Sequence, residues 1–134
     1  MAVKDIRSNL LQLVALVRTI ASIGTITGAI IDTANFELGL MFSVNVTTFG
    51  AGETITLILE ESDDSGMSGA TVISGDQLIG ALPVLTAVVA EGATLETVGV
   101  ISNKRFVRAS ISTVTTNSST IVVAATQKAE NMPV

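Results

Sequence analysis

The 134-residue chain contains no cysteine, no histidine, no tyrosine and no tryptophan. Without cysteine there can be no disulfide and no thiolate metal site. Without histidine the commonest general base, the commonest metal ligand and the usual pH switch are all missing. Catalysis would fall to Asp, Glu, Lys, Ser or Thr alone, and no nucleophile motif, phosphate-binding glycine loop or metal-ligand spacing occurs. Charge is scarce as well: 14% of residues are charged, against roughly 25% in an average soluble domain. The expectation is a non-enzymatic protein that uses no cofactor and no metal.

Hydrophobic residues, by contrast, make up 48% of the chain. A domain of this size buries a real core, but so little charge leaves apolar surface that a lone monomer would expose. Large exposed apolar patches mark interfaces, so part of the surface is expected to be covered by neighbours. The charge that exists is unevenly placed. No Lys or Arg lies between Thr19 and Asn103, a stretch holding ten carboxylates from Asp32 to Glu96; the basic residues are Lys4, Arg7 and Arg18, then Lys104, Arg105, Arg108 and Lys128. An acidic body is repelled by phosphates, so nucleic acid is not an expected partner.

Lys4 and Arg7 ahead of the apolar run from Leu10 to Val17 loosely imitate a secretory signal. Asp5, Gln12 and Arg18 interrupt that pattern, and no run reaches the ~20 apolar residues of a membrane span. The chain is expected to be made in the cytoplasm, with no membrane contact.

Most segments alternate and are rich in Val, Ile and Thr, whose branched side chains suit a pleated surface. Residues 25–32 form a first candidate strand. Residues 38–48 are the clearest, with Leu38, Leu40, Phe42, Val44 and Val46 on one face. Gly50 to Glu53 then make a turn, and residues 54–60 return with Ile55, Leu57 and Leu59 inward, a pattern that predicts a β-hairpin. Residues 61–69 are polar and loop-like, Val72-Ile73 and residues 77–80 flank a further turn, and residues 83–90 fit an edge strand because Pro83 cannot donate to a ladder. Residues 95–102, 105–114 and 120–127 complete about seven or eight strands at roughly ten-residue intervals, as in an antiparallel β-sandwich or barrel. The chain reads as one all-β domain.

The start is the exception. Ile6, Leu10, Leu13, Val14 and Val17 recur at helical spacing, which predicts a short helix or an extended arm over residues 1–16, packed on its own sandwich or docked on a neighbouring subunit. If this segment is an arm gripping a neighbour, deleting residues 1–14 should weaken assembly and spare the fold.

Two polar groups stand out. Glu60, Glu61, Asp63 and Asp64 are the densest carboxylates, but their spacing is not that of a calcium loop, and Glu60 and Glu61, adjacent on a strand, point to opposite faces. A solvated loop is the expectation. In the second group, Lys104-Arg105-Phe106-Val107-Arg108, alternation places Phe106 and Arg108 outward and Val107, Ala109 and Ile111 inward. An outward aromatic beside guanidinium groups suits the buried centre of an interface. Lys104, Arg105, Phe106 and Arg108, with Ile6, Leu10, Leu13 and Val17, are therefore the candidate partner contacts.

The order Ile31-Asp32-Thr33-Ala34-x-Phe36-Glu37, Leu59-Glu60-Glu61-Ser62-Asp63-Asp64, Leu78-Ile79-Gly80 and Val98 through Arg108 resembles small virion proteins of tailed bacteriophages, among them head cement, or decoration, proteins. The likeness covers roughly residues 25–127 and carries over no catalytic residue. It implies a jelly-roll-like sandwich on the outer surface of the capsid, bridging subunits of the major capsid protein and associating with itself as a dimer or trimer. Two other classes share this composition. One is another virion subunit, such as a head–tail connector or tail component. The other is a β-rich adhesin or carbohydrate-binding module, which the scarcity of aromatics disfavours, since Phe36, Phe42, Phe49 and Phe106 are the only ones.

Overall fold

A computed structural model of the chain describes residues 10–19, 23–34, 36–48, 50–86, 94–114 and 119–129. These form strands β1 (Leu10–Thr19), β2 (Gly24–Asp32), β3 (Phe36–Thr48), β4 (Thr54–Ser62), β5 (Thr71–Val72), β6 (Leu78–Ile79), β7 (Val84–Thr86), β8 (Thr94–Val100), β9 (Phe106–Thr113) and β10 (Thr120–Ala129), with one 3₁₀ turn at Gly75–Gln77. They build two antiparallel sheets. Sheet A runs β1-β10-β3-β8-β6, and sheet B runs β2-β9-β4-β5 with β7 also on β4.

β5 and β7 share one edge of β4: Glu60 and Glu61 pair with β5, and Thr54 to Thr56 pair with β7. Between them the amide of Leu57 reaches the carbonyl of Pro83 at 3.0 Å and the amide of Ile73 reaches that of Leu59 at 2.8 Å. The edge is thus closed along nearly its whole length by a strand broken in the middle. Counted as one, β5 and β7 leave eight principal strands, β1-β10-β3-β8 facing β2-β9-β4-β5/β7. That interleaving is the jelly roll, two Greek keys folded into a double sheet.

The core lies between the sheets. Leu40, Phe42, Val44 and Val46 of β3 meet Ile55, Leu57 and Leu59 of β4 and Val107, Ala109 and Ile111 of β9, all buried. Ile121, Val123 and Ala125 of β10 and Val98 and Val100 of β8 extend the same layer. Each set is every second residue of its strand, because side chains alternate across a sheet.

The predicted hairpin between β3 and β4 does not form. The strands and their inward faces stand as read, but β3 pairs with β10 and β8 while β4 pairs with β9, β5 and β7. The turn at Gly50–Glu53, with Gly52 at a φ of 75°, is an arch from one sheet to the other. An apolar face alternating with a polar one is equally satisfied by a neighbour beside the strand or by a sheet across the core.

The helical reading of residues 10–16 is also corrected, since they are strand, paired antiparallel with β10; Ile6 and residues 1–9 lie outside the described residues. The pairing register shifts between Val14 and Leu16. This bulge turns both Ala15 and Leu16 inward and leaves Val14 and Val17 exposed on the outer face. A bulge breaks strict alternation, and the resulting three-residue spacing imitates a helix. Deleting residues 1–14 would remove the first half of β1, so a cost to the fold is expected, as for a segment packed on its own sandwich, and not the spared fold of the arm reading.

Gly28 sits where β2 crosses β1 at the corner of the sandwich. A Cβ there would fall on the carbonyl oxygens of Ala15, in the other sheet, and Ala109. Both obstacles are backbone, so neither can swing aside. Gly28→Ala is expected to cost about 1–3 kcal/mol by overpacking, read as a lower denaturant midpoint with an unchanged slope.

Candidate interaction surfaces

Residues 31–33, 59–64, 78–80 and 98–108 converge at one end of the sandwich. On the outside of sheet B, Asp32 of β2, Phe106 of β9 and Ser62 of β4 lie in one register row, and Ile30, Arg108, Glu60 and Val72 in the next. Arg105 grips Asp32 with both ends of its guanidinium, Nε to Oδ1 at 2.9 Å and Nη2 to Oδ2 at 2.8 Å. The same guanidinium lies 5.0 Å from the centre of the Phe106 ring, within cation–π range. The hydroxyl and amide of Thr33 both donate to the carbonyl of Arg105, at 2.6 and 2.9 Å. Arg105 and the amide of Ala34 hold the Asp32 carboxyl down at about 2. One row in, Arg108 donates from Nε and Nη2 to Oε2 of Glu60 at 3.2 and 2.7 Å.

Behind the exposed Arg105–Asp32 pair and the half-buried Arg108–Glu60 pair lies a buried one-carboxylate network. Glu61, only 4% exposed, accepts from Gln77 Nε2 at 3.0 Å, from the Ser102 hydroxyl at 2.8 Å and from the amide of Asn103 at 2.8 Å. Burial pushes its pKa up, but these hydrogen bonds and the Lys104 amide outweigh burial and leave it lowered. A charged-acceptor set of this kind is the strong class of hydrogen bond. It ties the end of β4 to the 3₁₀ turn and to the β8–β9 loop.

The acidic cluster is thereby dispersed. Glu60 takes Arg108, Glu61 turns inward, and Asp64 folds its own loop by accepting from the amides of Gly66 and Ser68 at 2.8 and 3.1 Å. Asp63 alone stands in solvent without such a role, and among the described residues no three acidic side chains gather around a possible metal position. Glu53, at the β3–β4 arch, is fully buried and accepts from the amide of Val114 at 3.2 Å. Nothing in the sequence separated this structural carboxylate from the solvated ones.

The predicted contact residues fall on two different sides. Phe106 and Arg108 face outward from sheet B as alternation required, and Val107, Ala109 and Ile111 face the core. Arg105 and Arg108 are engaged within the subunit. Val17 lies on the outer face of sheet A, and Leu10 and Leu13 lie on β1 of that same sheet. One flat partner cannot cover both groups.

The outer face of sheet A is the surface that sequence reading missed. Its register rows are Val14, Ala124, Ser43, Thr97 and Val17, Val122, Asn45, Leu95, flanked by Thr126, Met41, Gly99 and Ile79. Every described side chain on it is uncharged. Val14 (63%), Val17 (57%), Ile79 (64%) and Leu95 (61%) are among the most exposed large hydrophobics of the molecule. The signal was present as the run of uncharged outward residues in each strand, but only the pairing order sets those runs side by side.

These features define a jelly-roll β-sandwich whose described side chains are charged on one outer face and uncharged on the other. No protein-family description matches the chain, and no curated protein matches it. Among solved structures it is similar to the PBSX exported protein XepA, at 17% identity and a TM-score of 0.61, over 92% of this chain. The chain spans 39% of the length of XepA. The likeness is one of fold. Dimeric latent PorU from Porphyromonas gingivalis aligns over 94% of this chain and 14% of its own, at 14% identity and a TM-score of 0.43, too loosely to carry an argument. Among the described residues no helix is long and apolar enough to cross a membrane.

Because the carboxyl of Glu61 is held below its ordinary value of 4.5, the stability it contributes is present above that value and is lost as pH falls through the lowered folded value. Glu61→Gln is expected to be about 1–3 kcal/mol less stable at neutral pH. Its thermal midpoint should also fall less than the wild type's as pH drops below about 4.5, as thermal unfolding across a pH series would read.

Proposed function

We propose that this protein is a non-enzymatic structural subunit of a tailed-phage particle, a cement or decoration protein on the outer surface of the capsid that contacts the major capsid protein and copies of itself. The observation that carries the reading is the uncharged, partly apolar outer face of sheet A on an otherwise acidic subunit. Monomeric proteins rarely leave such a face open to water. The jelly roll is an architecture that viral capsid proteins use, and a neighbour in fold is a protein of the PBSX phage. An acidic body suits a position away from packaged DNA. The ion pairs and the Glu61 network brace the β8–β9 loop, which keeps Lys104 and Phe106 in fixed positions for a partner.

A second reading follows from that neighbour, which is an exported protein: a phage-encoded module released from the cell. One experiment separates the two. In particles purified through a density gradient, a cement protein is present in copy numbers comparable to the major capsid protein, and capsids lacking it bind it back from solution. A few copies per particle would point to a connector or tail component. Absence from particles with recovery in the culture fluid would support the exported module and overturn the cement reading.

A further inference from the structure

We infer that two copies of this chain associate face to face through the outer surface of sheet A, related by a two-fold axis near Asn45 and Ser43. The inference rests on reading the chain as a subunit of an assembly and names the surface by which it meets itself.

Three features identify the occupant as a second copy. The first is charge. The chain carries a formal net charge of −5, so identical copies repel least where the meeting surfaces carry no carboxylate of their own. An uncharged face adds no like-charge contact when it meets its own copy across a two-fold axis. The outer face of sheet B brings Asp32, Glu60, Arg105 and Arg108 to the contact. The described side chains on the face of sheet A bring none; Arg18 and Glu96 of its strands pair with Ile121 and Val44, whose side chains point to the core, and Lys128 lies opposite Leu10 at the end of the sheet.

The second feature is area. Four long strands about 4.8 Å apart, each contributing about eight residues at about 3.4 Å, make a face on the order of 500 Å² before side-chain relief is counted. Two such faces covering one another remove at least about 1,000 Å² from water, the lower limit for a specific interface. The third feature is shape. Val14, Val17, Leu95 and Met41 are exposed and surround the smaller Ser43, Ala124 and Thr97. A second copy of the face has the same mixed relief and can lie on it as one sheet lies on another, at about 10 Å separation.

Sedimentation velocity of the full chain over about 1–100 µM tests this. The wild type should become dimeric with rising concentration. Asn45→Lys and Thr97→Glu, both at exposed positions of the face, should each raise the dissociation constant at least about tenfold by placing like charges opposite one another. At concentrations where all are monomeric their thermal midpoints should match the wild type's, and Ile30→Lys, on the outside of sheet B, should leave the dimer intact. A wild type that stays monomeric, a trimer, or Asn45→Lys and Thr97→Glu proteins that dimerise normally would overturn the inference. Binding of the same proteins to capsids reports separately on the virion role. A wild-type monomer that binds capsids removes the dimer alone, and a dimer that does not bind them removes the cement reading alone.

Discussion

The structure depends on sealing two one-sided sheets against each other. Every long strand has a single apolar face, and none can hide it beside its chain neighbour, because the chain changes sheet at almost every connection. Only β4 and β5 are consecutive and paired. The apolar sides of β3 and β4, joined by a short arch, therefore meet across the core instead of lying side by side. Burial is the dominant favourable term, and here it is realised only when strands distant in sequence are already paired: β1 with β10, β2 with β9, β3 with β8 and β10. Such topologies place most of the loop-closure cost ahead of the reward, which makes them slow to fold.

The ends of the sandwich are held by polar groups that local sequence does not bring together. At one end, Asp32, Glu60 and Glu61 fasten Arg105, Arg108, Ser102 and Gln77 from three separate segments. The exposed Arg105–Asp32 pair adds little stability, being solvated on both sides. The buried Glu61 carries more, because removing it would strand several donors. At the other end, Glu53 plugs the β3–β4 arch. Residues 31–33, 59–64, 78–80 and 98–108 thus owe much of their character to bracing one end of the fold.

The two outer faces divide the remaining chemistry. Sheet B presents paired charges around Phe106, a surface whose electrostatics is largely satisfied within the subunit. Sheet A presents Val, Thr, Ser and Asn, a surface that is inexpensive to desolvate and indifferent to the sign of a partner's charge. A subunit with these two faces can stack on a like-charged copy through one and leave the other for a different protein.

The sequence by itself determined which residues turn inward. Val44, Leu57, Val107 and Ile111 were legible because pleating assigns alternate residues to opposite faces, whatever lies beyond. The main strands read over residues 25–32, 38–48, 54–60, 95–102, 105–114 and 120–127 were legible for the same reason to within two residues at each end, and so was the outward turn of Phe106 and Arg108. Partners were not. Alternation encodes a face and carries no information about the neighbouring strand, so the β3–β4 hairpin was a natural misreading of an inter-sheet arch. The bulge at Ala15 turned an edge strand into an apparent helix, since inserting one residue replaces a two-residue period with a three-residue one. Lys104, Arg105, Phe106 and Arg108 were visible as a group, but whether their charges face a partner or Asp32 and Glu60 is decided by strand order. The uncharged face of sheet A likewise exists only once β1, β10, β3 and β8 are set side by side. Cross-strand adjacency is a property of long-range pairing, and only the tertiary structure supplies it.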